Sequence, residues 1–430
     1  MISRRSLLKY GAAAGALAPF GGMVGNPAFA QDVIDLRLYW WGSQDRAKRT
    51  LDVAALFNER HPGIKADGEA QGADYWTKLA TMMVGRNLPD VLQLEPNTMP
   101  DYARRGACYE LDGFIGSTIK TDRLANGVLD LTTVDGKVWG VGLGLNSFSM
   151  FYDTDIFAKT GLTPPSYGIT WDEIGKLAAE MTKAAGIEGY AGMTNGARYN
   201  YVLDPWLRQR DKRLFTADGK LGFTEDDARE WYEYWDGLSK AGALVAPDVM
   251  AADTNSIDTN ALAAGKAAMA FTYSNQLIGY QGVVKQPLEI TTLPVSEKGG
   301  TLGMWYRPAL IWSVGQSSAH PQEAAEFIDF FINDPDAGLI LGVERGVNVN
   351  LDVRAKVAPT LDPVAQKTVA YVDFLADKVV PYAFPAPKGY QEFDSQVMRP
   401  IADELGFGRI SPADAAKRLI EDGTRAITAS

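Results

Sequence analysis

The sequence predicts an α/β protein built as two lobes. From residue 36 the chain alternates short apolar, strand-like runs with amphipathic runs of helix length. After a removable head, roughly 400 residues remain, more than one ordinary core accommodates. The third observation is an extended run, Val138–Tyr152, with alternating glycines at Gly140, Gly142 and Gly144. Such a run suits a strand that leaves one sheet and enters another, bending near Asn146.

The first thirty residues stand apart from the fold. Ser3-Arg4-Arg5-Ser6-Leu7-Leu8-Lys9 is a paired-arginine head, a Gly/Ala-rich run follows from Tyr10, and Ala28-Phe29-Ala30 supplies a small-x-small cleavage pattern. This resembles a twin-arginine export signal, with Leu7 where phenylalanine is usual, the alternative being an ordinary secretory signal that carries two arginines; it implies a mature chain beginning at about residue 31 and a periplasmic location. Gly11, Gly15, Pro19, Gly21 and Gly22 interrupt the run. A retained spanning helix needs about 20 mostly apolar residues.

Leu36–Trp41 reads as the first strand. Trp40 shares a face with Leu36 and Leu38 and goes to the core, whereas Trp41 alternates to the other side and precedes a break at Gly42. Asp45–Arg60 reads as a helix with Leu51, Ala55 and Leu56 inward, stopped by His61-Pro62-Gly63. Ile64–Ala70 is the second strand, Tyr75–Val84 a helix with Leu79, Met82 and Met83 inward, and Leu88–Glu95 the third strand. This order implies a parallel sheet, with ligands beyond the carboxyl ends of its strands.

Val134-Asp135-Gly136-Lys137 is a tight turn, Thr170-Trp171-Asp172-Glu173 a capping box for a helix to about residue 185, and Thr224 caps another through Lys240. A short helix is expected at Asn260–Gly265, then strands at Ala267–Tyr273, Leu288–Val295 and Ala309–Val314, a helix at Pro321–Ile332, and a last helix opened by Ser411-Pro412.

The net charge is −11, and −14 without Arg4, Arg5 and Lys9. That balance argues against nucleic acid or an anionic membrane as partner. Cys108 is the single cysteine, so no internal disulfide forms, and with two histidines a Cys/His zinc site cannot be assembled. His61 and His320 each precede proline at helix boundaries and read as turn residues. There is no Gly-x-Ser-x-Gly elbow and no phosphate-cradling loop; Gly140-x-Gly-x-Gly144 lacks the dinucleotide spacing. Neither a metal nor a cofactor is expected.

Asn87–Val91, Val134–Val141, Met150–Phe157, Pro164–Ile174, Gly265–Met269 and His320–Phe327 are segments whose order resembles the extracellular solute-binding proteins of carbohydrate ABC importers, the maltose-binding-protein-like group. The set spans nearly the whole mature chain. The chain departs from that pattern at Gly142, where the group usually has proline. It departs again at Tyr273-Ser274-Asn275, where a Gly-x-Trp is usual. The resemblance implies the two-lobed periplasmic-binding-protein fold, each lobe a mainly parallel sheet flanked by helices. One lobe would hold residues 31–146 and 309–335, the other 147–308 and 336–430. Crossings are then expected near Asn146-Ser147, Arg307-Pro308 and 334–342. It further implies a monomer that delivers a sugar from the interlobe cleft to ABC permease subunits, without catalysis.

Sugar rings pack their C–H faces on aromatic side chains, and their hydroxyls need paired donors and acceptors once desolvated. The candidates are Trp41, Ser43 and Gln44 after the first strand, Tyr75, Asn97 after the third strand, and Asn146 at the bend. Arg198, Tyr199 and Trp206 lie in a loop rich in polar and aromatic residues; Asn275, Trp305, Arg307 and Arg345 complete the set. Arg307 and Arg345 read equally well as hinge ion-pair partners. Trp231, Tyr232, Tyr234 and Trp235 read as helix packing. An alternative is an anionic solute of glycerophosphate or sulfonate type, clamped by Arg198, Arg307 and Arg345. A glycan hydrolase or lyase is a further alternative, although no carboxylate pair is singled out among 53 acidic residues. The routing has its own test. Lysine at both Arg4 and Arg5 should block export in a cell-fractionation assay, and unimpaired export refutes the twin-arginine reading.

Overall fold

The computed structural model describes residues 33–254, 256–382 and 387–428. The export head lies outside the described residues. The first lobe is organised by a five-stranded sheet in spatial order β2 (Ile64–Gln71), β1 (Ile34–Trp41), β3 (Val91–Leu94), β13 (Ile311–Val314) and β6 (Val141–Gly142). β1 runs parallel to both β2 and β3, while β13 lies antiparallel to β3 and β6. The second lobe has the order β11 (Leu288–Thr291), β8 (Phe148–Asp153), β10 (Ala267–Tyr273) and β9 (Ala191–Met193). Its sheet is mixed. β8 enters from the crossing and runs antiparallel to β10 and β11, and only β9 and β10 are parallel.

Between them lies a small three-stranded sheet, β12 (Arg307–Pro308), β7 (Gly144–Asn146) and β14 (Val347–Asn348), all antiparallel. The glycine-rich run thus divides into four strands: β5 (Lys137–Val138), which closes a hairpin with β4 (Thr133–Val134), then β6, β7 and β8. β6 belongs to the first lobe, β7 to the middle sheet and β8 to the second lobe. The glycines are there for close approach. A Cβ on Gly140 would lie 2.5 Å from Ile311 Cγ2, and one on Gly144 only 2.1 Å from the Arg345 carbonyl oxygen. In the hairpin turn Asp135 and Gly136 have φ of 53° and 78°, the left-handed pair such turns require.

Strand alternation in β1 sorts its aromatics as its pattern requires. Trp40 is fully buried beside Leu36 and Leu38 in the main core, while Tyr39 faces the opposite side with Tyr75, Leu92 and Leu94. The helix Gln44–Arg60 is present, but its inward face differs from the expected one. Thr50, Val53, Ala54 and Phe57 are buried, whereas Leu51 and Ala55 are exposed and Leu56 is half-buried. Phe57 decides the rotation, because its ring meets Phe327 at 5.2 Å and Phe330 at 5.3 Å, both edge-on. In Tyr75–Val84, Leu79 is buried and Met82 and Met83 are half-buried. The capping boxes at Thr170/Glu173 and Thr224/Asp227 both form.

Two further expectations need correction. Residues 260–265 form turns rather than a helix. The Lys266 N–H bonds back to the Ala261 carbonyl at 2.8 Å, and Gly265 closes the segment at φ 68°. The crossing expected at 334–342 is instead a helix-to-helix corner within the first lobe, where Asp334 caps Pro335–Leu341 through bonds from the Asp336 and Ala337 N–H groups. That helix and Leu351–Val357 pack on each other, and Arg60 pairs with Asp334 and Asp336 at 2.6 and 2.7 Å. Residues 336–357 therefore belong with the first lobe, and the middle strand is β14. The chain joins the second lobe at the helix Pro363–Phe374, which packs against β11.

No helix among the described residues is long and apolar enough to cross a membrane. The burial of Trp40 sets an expected cost. Trp40→Ala should lower the unfolding free energy by about 3–5 kcal/mol in denaturant titration, and a loss below 1 kcal/mol would place the ring outside the core.

Candidate functional site

A cavity of about 800 Å³, including its open mouth, lies where the two lobes meet the middle sheet. Pro96, Asn97 and Leu131 reach it from the first lobe, and Arg307 and Pro308 come from β12. The second lobe supplies most of the wall: Phe148, Asn200, Tyr201, Asp204, Arg208, Leu214, Phe215, Tyr273, Trp305, Tyr382 and Tyr390.

The local folding of each segment explains these positions. Phe148 is the first residue of β8 and Tyr273 the last of β10, and the two are paired across the ladder, so both rings emerge at the same end of the second sheet. Asn200, Tyr201, Asp204 and Arg208 recur along the helix Asn200–Arg208 at spacings that put them along one side. The rings form a connected belt. Phe148 meets Trp305 edge-on at 4.7 Å and stacks with Tyr201 at 5.7 Å, Tyr201 meets Tyr273 at 4.7 Å, and Trp305 meets Tyr382 at 5.9 Å. Backbone anchors hold the belt, since Ser147 donates its hydroxyl to the Trp305 carbonyl at 2.8 Å and Tyr371 donates to the Phe148 carbonyl.

Two cations sit on this belt. The Arg208 guanidinium lies 4.4 Å from the Trp305 ring centre and is paired through Nε with Asp204 at 2.9 Å. Asp204 also accepts from the Leu214 N–H at 2.8 Å, and burial raises its carboxyl above the usual range. Arg307 lies 5.4 Å from the Tyr273 ring centre. Glu95, just before Pro96, has its carboxyl raised by burial, an effect that the charge of Arg307 opposes.

Of the candidates named from sequence, Asn97, Trp305 and Arg307 line this cavity. Trp41 is half-buried and packs on Tyr75 and Trp76 at 4.7 and 5.1 Å, forming a separate aromatic cluster at the end of β1. Ser43 caps the helix Gln44–Arg60, accepting from the Arg46 N–H at 3.2 Å, and Gln44 is exposed at its first turn. Tyr75 is buried, with its hydroxyl donated to the Gln93 carbonyl at 2.5 Å. Asn146 is buried in β7 opposite Arg307, and its Oδ1 has no hydrogen-bond partner among the described residues. Asn275 is exposed outside the cavity.

The remaining four are held by the protein itself. Arg198 is buried, donates to the Met250 and Asp253 carbonyls, and pairs with Asp403 at 3.1 Å. Tyr199 is buried and donates to Asp253 at 2.7 Å. Trp206 is buried between the Trp231 ring at 5.4 Å and the Arg210 guanidinium at 3.6 Å. Arg345 is buried, bonds Thr50 at 2.7 Å and pairs with Glu344 at 3.3 Å. The three-arginine anion clamp therefore does not assemble. The residues missed by sequence reading include Phe148, Tyr201, Tyr273, Tyr382 and Tyr390 among the aromatics, and Asn200, Asp204 and Arg208 among the polar groups. Phe148 and Tyr273 had a usable signal, as aromatic residues at strand ends; Tyr382 and Tyr390 lie in a segment without a clear period.

No group of three or more potential metal-ligating side chains occurs among the described residues. What the wall offers instead is apolar aromatic surface interrupted by amides, hydroxyls, two guanidinium groups and the Asp204 carboxylate.

The model of the bacterial extracellular solute-binding protein family matches residues 41–337. The chain belongs to that family. It is therefore a solute-binding protein of a group that acts outside the cytoplasm. The lactose-binding protein of Rhizobium radiobacter is 25% identical over 342 residues, 74% of this chain and 75% of that one. An uncharacterised ABC transporter extracellular-binding protein of Pyrococcus horikoshii is 25% identical over 315 residues, 71% of this chain and 70% of that one. A solved extracellular solute-binding protein of family 1 from Alicyclobacillus acidocaldarius matches with a TM-score of 0.79 at 25% identity, covering 93% of this chain and 99% of the other.

The buried Asp204–Arg208 pair carries a stability prediction for this family member. Asp204→Asn leaves Arg208 without its carboxylate and should cost about 3 kcal/mol in chemical denaturation, a loss that Asp204→Asn with Arg208→Met should partly restore.

Proposed function

We propose that this solute-binding protein takes a sugar, or a short saccharide, into the interlobe cavity and presents it to an ABC permease. The observation that carries the reading is the belt formed by Phe148, Tyr201, Tyr273 and Trp305, with Asn97 on the other lobe. Aromatic faces suit the C–H faces of a pyranose, and the amides and hydroxyls suit its equatorial oxygens. The similarity to a lactose-binding protein supports the same class of ligand.

Contacts from both lobes are made together only when the lobes approach each other. The ligand then shifts the population toward that arrangement by its differential affinity. A micromolar dissociation constant corresponds to about −8 kcal/mol, within reach of a few stacked rings and paired hydroxyls once ordering costs are met. The permease recognises the approached lobes, the protein works as a monomer, and the head directs folded export by the twin-arginine route.

Trp305 and Tyr273 in the wall make binding visible. Titration with the right sugar should change tryptophan fluorescence and raise the melting temperature, and Trp305→Ala should weaken affinity about tenfold or more. A flat response across mono-, di- and oligosaccharides refutes the sugar reading.

A further inference from the structure

The charges of the cavity wall do not balance. Asp204 and Arg208 neutralise each other at 2.9 Å, and Arg307 has no acidic partner within 4 Å among the described residues. Every other wall residue is uncharged. The wall therefore keeps one positive charge inside a chain whose net charge is −11. Arg307 is half-buried, it faces the Tyr273 ring, and its strand pairs with β7 at Asn146.

A neutral sugar closing over this wall strips water from a guanidinium and returns only hydroxyl oxygens to it. Desolvating a charge that has no ion pair in contact with it is costly, whereas a planar carboxylate matches the guanidinium fork and makes charge-assisted bonds roughly twice as strong as neutral ones. Resting on the sugar reading above, we infer that the ligand is an acidic saccharide carrying one carboxylate, as a uronic acid does, and that Arg307 selects it. Arg307 is the specificity-determining residue of the cavity. Arg198 and Arg345 cannot share the task, because Asp403 and Glu344 already hold them.

The test is calorimetric titration of the mature protein with matched pairs: glucuronate against glucose, galacturonate against galactose, cellobiouronate against cellobiose, and glucose 6-phosphate as the dianion. At least one uronate should bind about tenfold or more tighter than its neutral partner. Arg307→Gln should bring the affinity for each uronate down to that for its neutral partner, and Arg307→Lys should retain part of the preference. Neutral sugars bound as tightly as uronates overturn this inference alone, as does a preference that survives Arg307→Gln. Tighter binding of glucose 6-phosphate overturns the single-carboxylate assignment. Silence across the whole panel overturns the sugar reading and this inference with it.

Discussion

Gly144 leaves no room for a side chain, because the carbonyl of Arg345 occupies the place where a Cβ would go. That close approach lets β7 take β12 on one side and β14 on the other, so that three separate passages of the chain meet in one small sheet. The site depends on this meeting. β12 carries Arg307 and Pro308 into the cavity wall, and the chain leaving β7 starts β8 with Phe148, where the aromatic belt begins. The immediate neighbourhood is tied into the first lobe as well. Arg345 reaches Thr50 on the helix after β1 and Gln93 in β3, and its neighbour Glu344 pairs with Arg46 at 2.6 Å. Arg46 in turn donates to the Trp41 carbonyl. The end of β1 and the middle sheet are thus parts of one hydrogen-bonded network, although Trp41 itself is not in the cavity wall.

The lobes contribute unequally to the cavity. The second lobe brings nearly all of the aromatic surface, and the first brings Pro96, Asn97 and Leu131. An apolar belt on one lobe supplies area that is insensitive to which solute lies on it. The polar groups around it set orientation, because each must find a partner when water leaves. The Asp204–Arg208 pair holds the guanidinium over the Trp305 ring without adding net charge to the wall. This division separates affinity from selectivity within one cavity.

Much of the fold was legible in the sequence where the signal is local. The alternation in β1 separated Trp40 from Trp41, the capping residues Thr170 and Thr224 marked helix starts, and Asp135-Gly136 marked the hairpin. The inward face of Gln44–Arg60 was misread because Val53 and Phe57 on one side compete with Leu51 and Ala55 on another, and only the rings of Phe327 and Phe330 decide between them. The third passage was misplaced for a related reason. Asp334-Pro335 breaks a helix in either setting, and what keeps the following helix on the first lobe is packing against residues 44–60, far away in sequence.

By itself the sequence determined the α/β alternation, the helix caps, the hairpin turn and the glycine run that lets a strand change sheets, since all of these follow from backbone geometry and spacing within a few residues. Only the tertiary structure decided which aromatic and cationic residues face the cavity. Trp206 and Trp305, or Arg198 and Arg307, look alike as residues in a chain. One of each pair is enclosed by partners from distant segments and the other is left at the wall, and burial and charge pairing are settled by neighbours that the local sequence does not contain.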